Sequence, residues 1–263
     1  VIARLLGAQG LGQYATALAW LNVCQVLSEL GLPQLLVRDL ARYPERRRRS
    51  FQMALFAQIF AALLILAGVF GLTAVLPYQP ETRNALLLST ASLPLFAITS
   101  VCETLFQANE RMELVMGVEV GINSLIVGAS LVVLWQGGAV VALSAVMIAT
   151  QTISAAVCLW LVRRGGLLGA PDNQHRQSIR AGLAHLWGLA RPFYGLALAN
   201  VLLHRLDILL LSLFAGETVT GIYSAAYLLV RVLIILAQTW WQSLYPTFSR
   251  LRVQAEEQYR RLA

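Results

Sequence analysis

The stretch QMALFAQIFAALLILAGVFGL, residues 52–72, runs for twenty-one residues without a charged side chain. A helix rising 1.5 Å per residue needs about 20 apolar residues to cross the hydrocarbon of a bilayer, so this stretch has the length and chemistry of one crossing. Runs of the same kind recur at 13–36, 85–106, 114–135, 139–162, 191–214 and 221–246, which makes seven complete spans. The 263 residues are 58% hydrophobic and only 13% charged, with a mean hydropathy of +0.66. Such a balance excludes an ordinary soluble domain and predicts an all-α, polytopic integral membrane protein. Residues 1–6, VIARLL, are apolar but too short to cross, and they predict the tail of a further span begun upstream. A secretory signal fits them poorly, because they carry neither a basic n-region nor a small-residue cleavage site.

Cys24, Cys102 and Cys158 each lie inside an apolar run with no redox or metal-ligand spacing, so they read as small packing residues. The net charge of +7 rests on 20 arginines and no lysine. Assigning the loops alternately to two sides places fifteen arginines on one side: Arg38, Arg42, the run at 46–49, Arg111, Arg163, Arg164, Arg176, Arg180, Arg250, Arg252, Arg260 and Arg261. Arg4 and Arg83 fall on the other. That asymmetry in short loops predicts that the Arg-rich side is cytoplasmic, where the arginines meet anionic headgroups. A nucleic-acid patch is not expected from a basic run set between two spans. The most polar connection, 163–186, contains Gly and Pro and reads as the junction of two halves.

An internal repeat supports two halves. At an offset of 209, Gly7, Gly12, Tyr14 and Ala17 fall on Gly216, Gly221, Tyr223 and Ala226. Both copies sit where one apolar run ends and the next begins. Six crossings separate them, an even number, so the halves share an orientation and would be related by an axis along the membrane normal. The expected architecture is two six-helix bundles: 1–165 for the first, with its opening helix truncated, 166–186 for a cytoplasmic linker, and 187–263 for the first two helices of the second.

The residues that carry this repeat also carry a family resemblance. The opening ARLLGAQGLGQYATALAWLNVCQVLSELGLPQLLVRDLA resembles the bacterial polysaccharide-transport proteins, the Wzx-type O-antigen flippases of the multidrug/oligosaccharidyl-lipid/polysaccharide exporter superfamily. Arg4 and Gly7 stand at that family's Arg-x-Leu-Gly turn, Gly12 and Tyr14 at its Gly-x-Tyr start, and Glu29, Leu32 and Arg38 at its acidic-Gly-Leu stretch and following Arg. The resemblance continues in LFQANERME (105–113), along 191–229 and in SLYPTFSRL (243–251). Ala8 departs from it where Pro is usual, which softens that turn.

Charges inside the spans narrow the site. Glu29, Glu103, Glu119, Arg191, His204, Arg205, Asp207 and Arg231 fall within the apolar limits, with Arg191, Glu29 and Glu103 near span ends. Arg205 and Asp207 together cost about 5–7 kcal/mol to insert, against about 4–7 returned by the apolar side chains of span 191–214. That span therefore needs neighbouring helices or a wet cavity. At 100° per residue Asn200, His204 and Asp207 share a stripe that Arg205 does not join, so a local Arg205–Asp207 pair is badly placed. An interhelical polar network and a cavity wall both fit these residues. Glu119 and Asn123, spaced i and i+4, are a second stripe that suits either cavity or packing. Trp240, Trp241 and Tyr245 read as interfacial anchors, and Pro33 and Pro94 as kinks or helix ends.

The resemblance implies a flippase of the bacterial inner membrane that moves an undecaprenyl-pyrophosphate-linked oligosaccharide by alternating access, for O-antigen or exopolysaccharide biosynthesis. It involves no chemical step, cofactor or metal. On that reading Arg4, Arg38 and Arg205 bind substrate, His204 and Asp207 couple an ion, H⁺ or Na⁺, and polysaccharide assembly machinery is a partner. The alternatives are a multidrug exporter of the same superfamily, whose cavity should be mostly acidic, and a membrane-embedded O-antigen polymerase or ligase, which needs a large extracytoplasmic loop. The glycines at 7, 10 and 12 do not make a phosphate loop, since no strand precedes them. No HExxH and no Walker lysine occur.

Overall fold

A computed structural model describes the backbone at residues 2–42, 47–168 and 179–262, and side chains at 5–42, 47–168 and 187–240. Among the described residues there is no strand. The helices are α1 (Ile2–Glu29), α2 (Leu32–Arg42), α3 (Arg47–Thr73), α4 (Pro80–Ala91), α5 (Leu93–Ala108), α6 (Met112–Trp135), α7 (Val140–Arg164), α8 (Ile179–Phe214) and α9 (Glu217–Leu262). Seven segments are long and apolar enough to cross a membrane, with α1 and α2 counting as one and α4 and α5 as another. They coincide with the seven apolar runs. Residues 169–178, the middle of the expected linker, lie outside the described residues, and α8 already begins at Ile179. α9 extends past the apolar limit at 246, where Arg, Gln, Glu, Leu and Ala keep helix propensity high.

α4 and α5 form the most enclosed of the crossings among the described residues. They pack against α1, α3 and α7, and their apolar window is 61% buried, against 17% for α6, α8 and α9. Pro94 explains the break between them, because it removes an N–H from the helical ladder just after Ser92. Nearby hydroxyls occupy the local carbonyls instead: Ser92 Oγ donates to the Ser89 carbonyl at 2.6 Å and Thr90 Oγ1 to that of Leu86 at 2.8 Å. Pro33 likewise sits in the first turn of α2, after a corner in which Leu30 and Gly31 have φ of 55° and 67°. A Cβ on Gly31 would lie 2.6 Å from the Tyr194 nitrogen, so the corner fits against α8 only as glycine.

The Arg-rich end is tied by side chains that combine apolar stems with charged heads. Arg47 donates to the Leu40 carbonyl at 2.9 Å and to Asn109 Oδ1 at 2.7 Å, joining the far ends of α2 and α5. Arg164 lies over the Trp160 ring at 4.9 Å at the close of α7.

The tightest helix–helix approach joins α1 to α9. A Cβ on Gly12 would lie 1.8 Å from the Glu217 carbonyl oxygen, and one on Gly221 would lie 1.8 Å from that of Ala8. The roles are exchanged between the helices, since Ala8 and Glu217, like Gly12 and Gly221, are 209 residues apart. The glycine that precedes each approach is also a turn. Gly7 has φ 68° and ψ −176°, a conformation essentially reserved for glycine, and Gly216 has φ 81°. On the exposed face of α3, by contrast, nothing lies within 4 Å of a Cβ on Gly68. Gly12→Ala is expected to lower the thermal midpoint of the purified protein by roughly 3–10 °C, from about 1–3 kcal/mol of overpacking, while Gly68→Ala leaves it almost unchanged. Equal midpoints for the two variants would show that the α1–α9 contact does not carry stability.

Candidate functional site

Beyond their glycine contact, α1 and α9 carry larger side chains, and a cavity of about 590 Å³ opens between α1, α8 and α9, reaching to α2. Its wall includes Asn22 and Glu29 from α1, Gln34 from α2, Asn200, His204 and Arg205 from α8, and Tyr227, Arg231 and Gln238 from α9. These positions run from the middle of each helix to the Arg-rich end. Toward the opposite end α1 and α9 close on each other at the glycine contact.

Each of these side chains follows from its helix. On α8, Asn200 and His204 are one turn apart, and His204 Nδ1 lies 2.8 Å from the Asn200 carbonyl oxygen. Arg205 is half-buried between two cavities, for it also lines a second, apolar one of about 580 Å³ enclosed by α1, α6, α8 and α9. Tyr227 and Arg231, one turn apart on α9, border the same two spaces. Arg205 and Arg231 thus share the walls of both cavities. Neither arginine forms a salt bridge with another described residue, unlike Arg38, which pairs with Asp39 at 3.5 Å. Two permanent positive charges thus stand near each other on a polar wall, an arrangement that favours an anion between them.

Asp207 faces elsewhere. Tyr223 donates its hydroxyl to Asp207 Oδ2 at 2.6 Å, and the Ile208 N–H donates to Oδ1 at 2.8 Å. The carboxylate thereby ties α8 to α9 and does not line the cavity holding His204. Arg38 is exposed on α2 beside Asp39, one turn beyond Gln34, and lines neither cavity. Glu119 and Asn123 lie on an exposed face of α6, with Asn123 donating to the Glu119 carbonyl at 2.8 Å. The side chains of Arg4, Trp241 and Tyr245 lie outside the described residues. Glu29 turns inward, accepting from Ser100 Oγ at 3.2 Å on the cavity wall.

Sequence reasoning noted Arg231 as an intramembrane charge without giving it a role, and passed over Asn22, Tyr227 and Gln238. Their signal was available in part: Tyr227 and Arg231 are i and i+4 on one span, as are Asn200 and His204. Which spans face each other is not written in either stripe.

Seven segments of crossing length among the described residues, with a polar, arginine-bearing cavity between α1, α8 and α9, define a polytopic membrane protein. The chain belongs to the polysaccharide biosynthesis protein family, whose model matches residues 1–252. This is the family of the Wzx-type polysaccharide transporters of the multidrug/oligosaccharidyl-lipid/polysaccharide superfamily, and its members are transporters rather than enzymes. The chain is a multi-pass membrane protein of polysaccharide transport. No curated protein and no solved structure matches it.

The Asp207–Tyr223 bond predicts a structural share for Asp207. Tyr223→Phe and Asp207→Ala should each destabilise the purified protein, and a double-mutant cycle should return a coupling of about 0.5–3 kcal/mol. Strict additivity would remove the bond as a link between α8 and α9.

Proposed function

We propose that the chain translocates an undecaprenyl-pyrophosphate-linked oligosaccharide across the bacterial inner membrane by alternating access, with Arg205 and Arg231 receiving the pyrophosphate. The observation that carries this reading is the pair of arginines without a carboxylate partner on the cavity wall. Glu29 is the one acidic residue on that wall, so the balance favours an anionic cargo over the cationic drugs of a multidrug exporter. Asn22, Asn200, His204 and Gln238 offer the donors and acceptors that sugar hydroxyls need. Arg38 is assigned to receiving cargo on the arginine-rich side, and Arg4 to contact with the phosphate. His204 and Asp207 are assigned to coupling by H⁺ or Na⁺, with His204 on the wall and Asp207 linked to α9 through Tyr223.

The reciprocal contact between Gly12 and Gly221 supports the parallel repeat, because a twofold relation makes residue i of one copy touch j of the other and j touch i. On that basis residues 1–165 form one bundle, 166–186 the link, and 187–263 the opening of a second. The arginine bias supports a cytoplasmic location for the end at which the cavity lies. Polysaccharide assembly machinery would then take the cargo on the far side.

Complementation of a flippase-deficient strain by the full-length gene tests the reading. The unsubstituted gene should restore surface glycan, while Arg205→Ala and Arg231→Ala should each reduce it at least about tenfold, the loss of one charge-assisted contact. Wild-type glycan from both variants at normal expression would sink the assignment of the arginines.

A further inference from the structure

We infer that Glu217 is the latch that holds the cavity shut at the end away from the arginine-rich loops. This rests on the alternating-access reading above. Glu217 is buried, with 8% of its surface exposed, although it opens the first turn of a membrane-spanning helix where a carboxylate could reach the membrane surface. Its two oxygens are instead engaged from two other helices. Gln13 Nε2 of α1 donates to Oε2 at 2.9 Å, and Thr82 Oγ1 of α4 donates to Oε1. Gln13 and Thr82 are themselves buried. One side chain of α9 therefore clasps both α1 and α4.

The clasp lies at the glycine contact. The backbone carbonyl of Glu217 is the atom that excludes a Cβ from Gly12, and Gln13 is the next residue along. Weaker bonds gird the same end: Gln9 donates to Gln79 at 3.0 Å, Trp20 donates to Tyr78 at 3.1 Å, and the Tyr78 hydroxyl lies 2.9 Å from that of Ser212. They link α1, the turn before α4, and α8. The cavity wall starts near Asn22, about two turns beyond Gln13.

Two details suit a contact that must open. Thr16, one turn beyond Gly12, and Ser224, one turn beyond Gly221, have buried hydroxyl oxygens without partners, so the closed contact leaves polar groups unsatisfied that water would satisfy on opening. The helices also meet there through small residues and polar groups, with few interlocked side chains to disengage.

The test uses the full-length protein with its native cysteines replaced, Cys24, Cys102 and Cys158 among them, and Asn22→Cys as a reporter in the cavity. A membrane-impermeant maleimide is applied to intact spheroplasts and, separately, to inverted vesicles. If Glu217 is the latch, Glu217→Gln and Glu217→Leu raise labelling from the side opposite the arginine-rich loops, by roughly tenfold for Leu and less for Gln, which keeps an acceptor for Gln13. Gln13→Leu and Thr82→Val, which leave Glu217 intact and remove one donor each, move the labelling in the same direction. Unchanged labelling from that side in all four variants, or a change from the arginine-rich side alone, overturns the latch. The readout requires no substrate, so it fails independently of complementation: lost complementation by the unsubstituted gene sinks the transport reading, and unmoved labelling sinks the latch.

Discussion

The close approach of Gly12 to Gly221 is the constraint on which the rest of the arrangement depends. Two helices can touch through their backbones only where neither carries a side chain, and both glycines sit in the first turns after a left-handed turn. Farther along, the facing residues are Asn22 and Val26 on α1 and Tyr227 and Arg231 on α9. Helices that begin in contact and carry progressively larger side chains must splay. The cavity is thus a product of residue size along two helices, and its polarity comes from which large residues were placed there.

The spans were legible because crossing a bilayer demands length and apolarity together, and few other requirements write themselves so plainly into a sequence. The breaks at Pro33 and Pro94 were legible for the same kind of reason, since a missing N–H acts locally. The glycine pattern was visible as a repeat, but that its two copies would pack on each other was not. Asp207 shows the limit well. Helical periodicity excluded Arg205 as its close partner, yet the Tyr223 that binds it lies sixteen residues on and across a turn. Glu217 was passed over for a similar reason: a carboxylate at the head of a helix suits the dipole and reads as ordinary. Only its burial between Gln13 and Thr82 sets it apart.

The two ends of the bundle are held by different physics. At one end Arg47 and Arg164 use long, flexible stems to bond carbonyl, amide and ring partners. At the other, the buried carboxylate of Glu217 accepts hydrogen bonds from Gln13 and Thr82 over a glycine contact. The first kind tolerates sliding of a few ångströms, because a long side chain can follow its partner. The second is lost within a fraction of that distance, and so it separates two arrangements more sharply.

The choice of guanidinium over ammonium on the cavity wall constrains how a bound anion can leave. A lysine can lose its proton in an apolar setting and so release its counter-ion by neutralisation, whereas an arginine keeps its charge. On the transport reading proposed above, a wall with Arg205 and Arg231 as its cations would attract an anion at every stage of the cycle. Departure must then come from a change of surroundings, as water or a competing counter-ion reaches the two arginines. On that reading the discharge of cargo would be a matter of hydration rather than of proton transfer at the two arginines themselves.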